Sequence, residues 1–177
     1  PGQMQLTQSV APGFDIVVAN PPYVRQELLG SAYKATLKKR YPEVYRGTAD
    51  LYVYFYARAL HLLRQGGVAS FITSNKWLRA GYGEGLRKHL NATATVNAII
   101  DFGDLPLFEA IAYPQIIVFQ KSAPPEGHTL RALTVDDISA VERLSEVVQA
   151  EAWEQPRASL RADGWALVRP AVLELMK

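Results

Sequence analysis

Phe14-Asp15-Ile16-Val17-Val18-Ala19-Asn20-Pro21-Pro22-Tyr23 is the stretch from which the fold can be read. Its first six residues form a short run rich in β-branched side chains, the pattern of a buried strand in an α/β sheet. The strand stops at Asn20. Two consecutive prolines fix φ at about −65° and keep Pro21 extended, so its carbonyl points towards a ligand instead of pairing locally. A loop of this kind at the carboxyl edge of a sheet stands where α/β proteins bind ligands. It offers one side-chain amide, one stiff backbone carbonyl and one flat ring.

Those three groups suit an exocyclic amine on a nucleobase. The lone pair of such an amine is delocalised into the ring, which makes it a poor nucleophile, while its two hydrogens can be held by two fixed acceptors. Asn20 Oδ1 and the Pro21 carbonyl are the candidate acceptors, Pro22 stiffens the corner, and Tyr23 supplies a stacking face. Neither acceptor has to change protonation state. The base must leave its duplex to arrive there, because pairing otherwise engages the amine.

The 177 residues, 49% of them hydrophobic, suffice for a sizeable core. There is no cysteine, and His61, His89 and His128 are too scattered to form a ligand set, so no metal site is expected. No stretch approaches a membrane span and no signal peptide is visible, which makes the cytoplasm the expected location. The net charge of +2 hides an asymmetry: residues 1–128 carry 13 basic and 9 acidic side chains, residues 129–177 carry 6 and 8. Arg25, Lys34, Lys38, Lys39, Arg40 and Arg46 crowd the stretch after the loop, opposed only by Glu27 and Glu43. These six are candidate contacts for phosphates flanking an extruded nucleotide, although charge runs are often only solvated faces. Lys76, Arg79, Arg87 and Lys88 make a second, weaker group.

A helix is predicted near 27–40. A nearly all-apolar, and therefore buried, helix follows from about Leu51 to Gln65, ended by Gly66-Gly67. Strands are predicted at 68–73, 95–101 and 115–120, with a helix near 84–91. Gly81-Tyr82-Gly83-Glu84-Gly85 imitates a dinucleotide fingerprint, but its glycines begin well past the strand end, so it reads as a loop beside the cleft. Residues 122–127 read as a linker, 130–134 as a strand, and Asp136-Asp137 as the cap of a helix reaching about Gln149.

Four segments, FDIVVANPPY, ADLYVYFYARALHLLRQGGVASFITSNKWL, IIDFGDLPLF and PQIIVFQK, resemble in order and spacing the catalytic half of amino-group DNA adenine N6-methyltransferases. The similarity runs from about Phe14 to Lys121 and is greatest to the fused type IIG restriction-modification and phage-defence methylases. It implies an α/β fold with a partial Rossmann-like sheet, strands ordered 4-5-7-6 with the last pair antiparallel, flanked by helices. It further implies that Asn20, Pro21 and Tyr23 hold a flipped adenine, that Phe108 packs on the base from the other side, and that Phe55 touches the methyl donor, S-adenosyl-L-methionine. Ala19 stands where many members have Gly. The family's glycine-rich donor turn and acidic ribose-binding residue would precede Phe14, and residues 1–13 contain neither.

The expectation is therefore a catalytic half over 1–121 and, over 122–177, a linker and the start of a connection to an absent target-recognition domain. Double-stranded DNA is the expected partner, along with the missing parts of the same polypeptide. The fragment is expected to be inactive alone, with an open first-strand edge prone to dimerise. Related loops act on protein glutamine or RNA guanine, and a non-catalytic nucleic-acid-binding module is a further alternative; the basic stretch between Tyr23 and Ala49 favours DNA.

Overall fold

The computed structural model of the chain describes residues 12–108, 113–169, 171 and 172. Six strands form one mixed sheet: β1 Phe14–Ala19, β2 Leu63–Ser74, β3 Thr95–Asp101, β4 Pro114–Gln120, β5 Thr129–Thr134 and β6 Trp153–Pro156. Their spatial order is β1-β2-β4-β3-β5-β6. The first four stand in the expected 4-5-7-6 arrangement. β1 and β2 are parallel, whereas β4 runs antiparallel to both of its neighbours. The carboxyl ends of β1 and β2 thus share an edge with the start of β4, where Ser74 pairs with Pro114.

Helices α1 Ser31–Arg40, α2 Tyr52–Leu62, α3 Glu84–Thr93 and α4 Leu144–Glu151 flank this sheet. Alternation along β3 separates two cores, since Ile99 packs with α2 and α3 while Ile100 faces the α4 side. Tyr56 is the hub of the larger core, with its ring against Phe71, Trp77 and Phe119 at centroid distances of 5.1, 5.3 and 5.9 Å. Its hydroxyl shares a 2.6 Å hydrogen bond with Thr73 Oγ1, which spares the buried oxygen a desolvation penalty.

Several sequence expectations are corrected. The first strand, expected to be buried, is largely exposed, and the helix expected from Asp136-Asp137 to about Gln149 is a 3₁₀ stretch Ile138–Arg143 followed by α4. The predicted helix near 27–40 is two pieces, a 3₁₀ turn Gln26–Leu28 and α1, separated at Leu29-Gly30. The predicted 51–65 helix ends at Leu62, and its last residues already belong to β2. Gly66-Gly67 is therefore not a helix stop: Gly66 N–H donates to the Lys121 carbonyl and Lys121 N–H to that of Gly67, both at 2.8 Å. A Cβ at Gly67 would lie 2.7 Å from the Phe14 carbonyl oxygen, so glycine admits a close strand approach. The glycines of 81–85 are likewise a packing device, because a Cβ at Gly83 would lie 2.0 Å from the Trp77 carbonyl oxygen.

The sheet also continues past residue 121. β5 pairs parallel with β3, and β6 antiparallel with β5. Trp165 is fully buried against Trp77 at 5.2 Å between ring centroids. Arg87, also buried, donates to the carbonyls of Trp77, Ala80, Ala162 and Asp163, stitching the last stretch to the turn after β2.

Candidate nucleobase cleft

A cleft of about 390 Å³ opens where β1 and β2 end, lined by Asn20, Pro21, Pro22, Tyr23, Arg25, Asp50, Tyr52, Ser74, Lys76 and Phe108. The residues singled out around Asn20 and the distant Phe108 thus meet in one place.

The loop is held by bonds that leave its key acceptors open. Val24 N–H takes the Pro22 carbonyl at 3.0 Å, and Leu51 N–H takes that of Val24 at 3.0 Å. Gln26 N–H donates to Asp50 Oδ1 at 3.0 Å, which ties the loop's far end to the start of α2. Among the described residues nothing hydrogen-bonds the Asn20 carboxamide or the Pro21 carbonyl. Asn20 is exposed and Pro21 buried, so the amide stands free on a fixed corner.

The aromatic wall is closed on itself. Tyr23 lies 6.2 Å from Phe108 and 6.3 Å from Tyr52, with the planes inclined by 51° and 50°. A base held between parallel rings needs about 7 Å, two contact distances, so the Tyr23–Phe108 sandwich is not open in this state. Tyr23 and Phe108 are both partly exposed, at 39% and 36%. Burial raises the Tyr23 pKa, and burial, the neighbouring Tyr82 hydroxyl at 2.7 Å and Asp50 drive that of Tyr52 far above the usual phenol range. Both remain neutral hydroxyls at physiological pH. The cleft is a set of fixed acceptors, donors and rings, suited to holding an amine.

Phe55 is half-buried against the main core and does not line the cleft. Of the six clustered cations only Arg25 lines it. Lys34 is committed to Gln26 Oε1 at 2.6 Å and the Gly47 carbonyl at 3.2 Å. Arg46 donates to the Tyr45 carbonyl at 2.9 Å. Lys38, Lys39 and Arg40 occupy the last turn of α1, where cations complement the helix dipole. Asp50, Tyr52, Ser74 and Lys76 were not marked for the cleft from sequence. Two signals point to them: Ser74 ends β2 beside the end of β1 with Lys76 just past it, and Asp50-Leu51-Tyr52 opens the helix between those strands. Among the described residues no group of His, Asp or Glu could hold a metal ion, and no helix is long and apolar enough to cross a membrane.

Residues 4–108 match the family described as Eco57I restriction-modification methylase. The chain is 40% identical over 129 residues to the type II methyltransferase M.BstVI of Geobacillus stearothermophilus, covering 72% of this chain and 23% of that protein. It is 37% identical over 113 residues to M.XhoI of Xanthomonas vasicola, covering 63% and 20%. It thus spans about a fifth of the length of these curated relatives. The type IIG restriction endonuclease BpuSI has a similar fold, with a TM-score of 0.61 at 18% identity over 85% of this chain and 20% of that one. So does the type ISP restriction-modification enzyme LlaBIII in its DNA-bound structure, at 0.59 and 17% over 78% and 12%.

Proposed function

Because this chain belongs to the Eco57I restriction-modification methylase family, we propose that its cleft receives an adenine flipped out of duplex DNA and presents the N6 amine for methylation. The observation that carries the reading is the pair of uncommitted acceptors, the Asn20 carboxamide and the Pro21 carbonyl, beside the rings of Tyr23 and Phe108. Each acceptor takes one N6 hydrogen. Holding both away from the ring plane returns the lone pair to nitrogen, which then gains the methyl group and sheds one proton to solvent. The diproline corner fixes the Pro21 carbonyl and the Asn20 backbone before the base arrives, so reorganisation is limited to the Asn20 side chain. Entry of the base requires Phe108 to move off Tyr23, after which stacking contributes about 1–3 kcal/mol.

S-adenosylmethionine is the proposed donor and supplies an electrophilic methyl group. The described residues do not by themselves make a site for it. By the resemblance its glycine-rich turn and ribose-binding acid come before β1, and the acid at the end of β3, Asp101, is bonded to Asn75 Nδ2 at 2.8 Å and Gly103 N–H at 3.0 Å. Most of that site is therefore assigned to parts of the polypeptide outside this chain, with Phe55 the contact proposed within it. The parent would be a cytoplasmic restriction-modification or phage-defence methylase of the fused IIG kind, with residues 122–177 leading towards its target-recognition domain. M.XhoI and M.BstVI, named as type II methyltransferases, support the methylase reading, and RM.Eco57I of Escherichia coli, named as restriction enzyme and methyltransferase together, supports the fused kind.

The test uses the intact protein with methyl-labelled donor and duplex DNA, followed by nucleoside analysis. Labelled N6-methyl-2′-deoxyadenosine is expected from the wild type. Asn20→Ala should lose about 10²–10³-fold in kcat while duplex affinity changes little. Label in cytosine, or in a glutamine peptide instead of DNA, would reassign the cleft, and unchanged turnover in the variant would remove Asn20 from it.

A further inference from the structure

A second cavity, about 450 Å³, adjoins the base cleft, with Asn75, Lys76, Arg79, Tyr82, Asp101 and Tyr113 on its walls. Lys76 lines both cavities. Lys76 and Arg79 are exposed, and among the described residues neither side chain has a carboxylate within ion-pair distance or a hydrogen-bond acceptor. The acid on the wall, Asp101, directs Oδ1 to Asn75 and Gly103 instead. The Lys76 ammonium lies 5.1 Å from the Tyr113 ring centroid, a contact that orients a cation without neutralising it. Tyr113 adopts a left-handed φ of 47°, and its carbonyl accepts the Asn75 N–H at 2.8 Å. A non-glycine residue held in that region carries strain, which the surrounding structure must enforce. The enforced conformation puts the ring beneath the lysine.

Two exposed cations, one of them oriented by a ring and neither paired with an acid among the described residues, stand beside the nucleobase cleft and match one ligand chemistry, a phosphodiester. We propose that Lys76 and Arg79 bind the phosphodiester joining the flipped nucleotide to its neighbour, with Tyr113 as the platform that positions Lys76. This rests on the nucleotide reading of the first cleft. The contact fixes the extruded backbone and reads no sequence.

The intact protein is titrated with target duplexes carrying one methylphosphonate linkage at a time on either side of the target adenine, at several salt concentrations. Lys76→Met and Arg79→Met should each weaken wild-type duplex binding about tenfold. The Lys76→Met/Arg79→Met double variant should also lower the steepness of log K against log salt by about 0.9, the share of one phosphate. One methylphosphonate position should weaken the wild type, weaken Lys76→Met and Arg79→Met less, and leave the double variant unaffected, and Lys76→Arg should keep the full sensitivity at that position, which a merely structural lysine would not do. Independent effects at every position, or an unchanged salt slope, would overturn the assignment. If the wild type still methylates adenine in that event, only this subsite falls; a wild type that neither binds nor methylates DNA removes both readings.

Discussion

Asn20 is a residue whose meaning depends on what it does not touch. An exposed amide on a diproline corner gains nothing for stability, so its placement argues for a ligand, whereas Asp50, on the same cleft, has a bond to keep. Its Oδ1 holds Gln26 N–H at 3.0 Å. Asp50→Ala should cost about 1–3 kcal/mol in urea unfolding by orphaning that donor, while Asp50→Asn, which keeps an acceptor, should cost much less. At the rings, Tyr23→Ala and Phe108→Ala should each abolish most of the fluorescence rise of a 2-aminopurine target in the intact protein. An undiminished signal in either variant would make that ring a wall of the core and not a platform for a base.

The elements carry the site through contacts that sequence periodicity does not encode. The turn after β2 presents Lys76 and Arg79, and it is fixed from behind by α3: Gly83 fits under the Trp77 carbonyl and Arg87 collects four carbonyls from two segments. Gly83→Ala would force a carbon to within 2.0 Å of that oxygen. A loss of roughly 1–3 kcal/mol in unfolding free energy, read from a lowered urea midpoint, is expected, with weaker DNA binding as the turn shifts. The same element explains a misreading. Gln65-Gly66-Gly67 looks like a helix stop because glycine is permissive in either role. Whether it ends a helix or lets two strands approach is decided by Phe14 and Lys121, which are remote in sequence.

Across the whole molecule the sheet is unevenly covered. α4 and the turn before it cover one face at the β3–β5 end, while at the β1 end Phe14, Ile16 and Val18 of that strand are 60, 66 and 71% exposed. An apolar edge strand of this kind invites pairing. The chain by itself is expected to self-associate with concentration in sedimentation, and Ile16→Lys with Val18→Lys should return it to a monomer; a monodisperse wild type would contradict this. The buried tyrosines add a pH dependence. Burial raises the pKa of Tyr52, Tyr56 and Tyr82, and pushes Tyr54 up to about 12 from an ordinary 10.0. The folded state thus holds these protons where the unfolded chain releases them. Stability should be level up to about pH 10 and fall as pH rises beyond it, with a shallower fall in Tyr56→Phe, measured as unfolding midpoints between pH 8 and 11.5.

The run FDIVVANPPY determined a strand, its stop and the stiff corner by local sterics alone, because proline fixes its own φ and branched side chains favour extended backbone. The order of the first four strands was legible through the resemblance of four spaced segments. Tertiary structure alone decided which distant residues complete the cleft: Phe108 against Tyr23, Asp50 beneath the loop, and Lys76 between two cavities. It also decided that Trp165 fills the core and that β6 extends the sheet. Those outcomes depend on long-range register and on which faces remain for burial once the sheet has formed, quantities that no window of neighbouring residues contains.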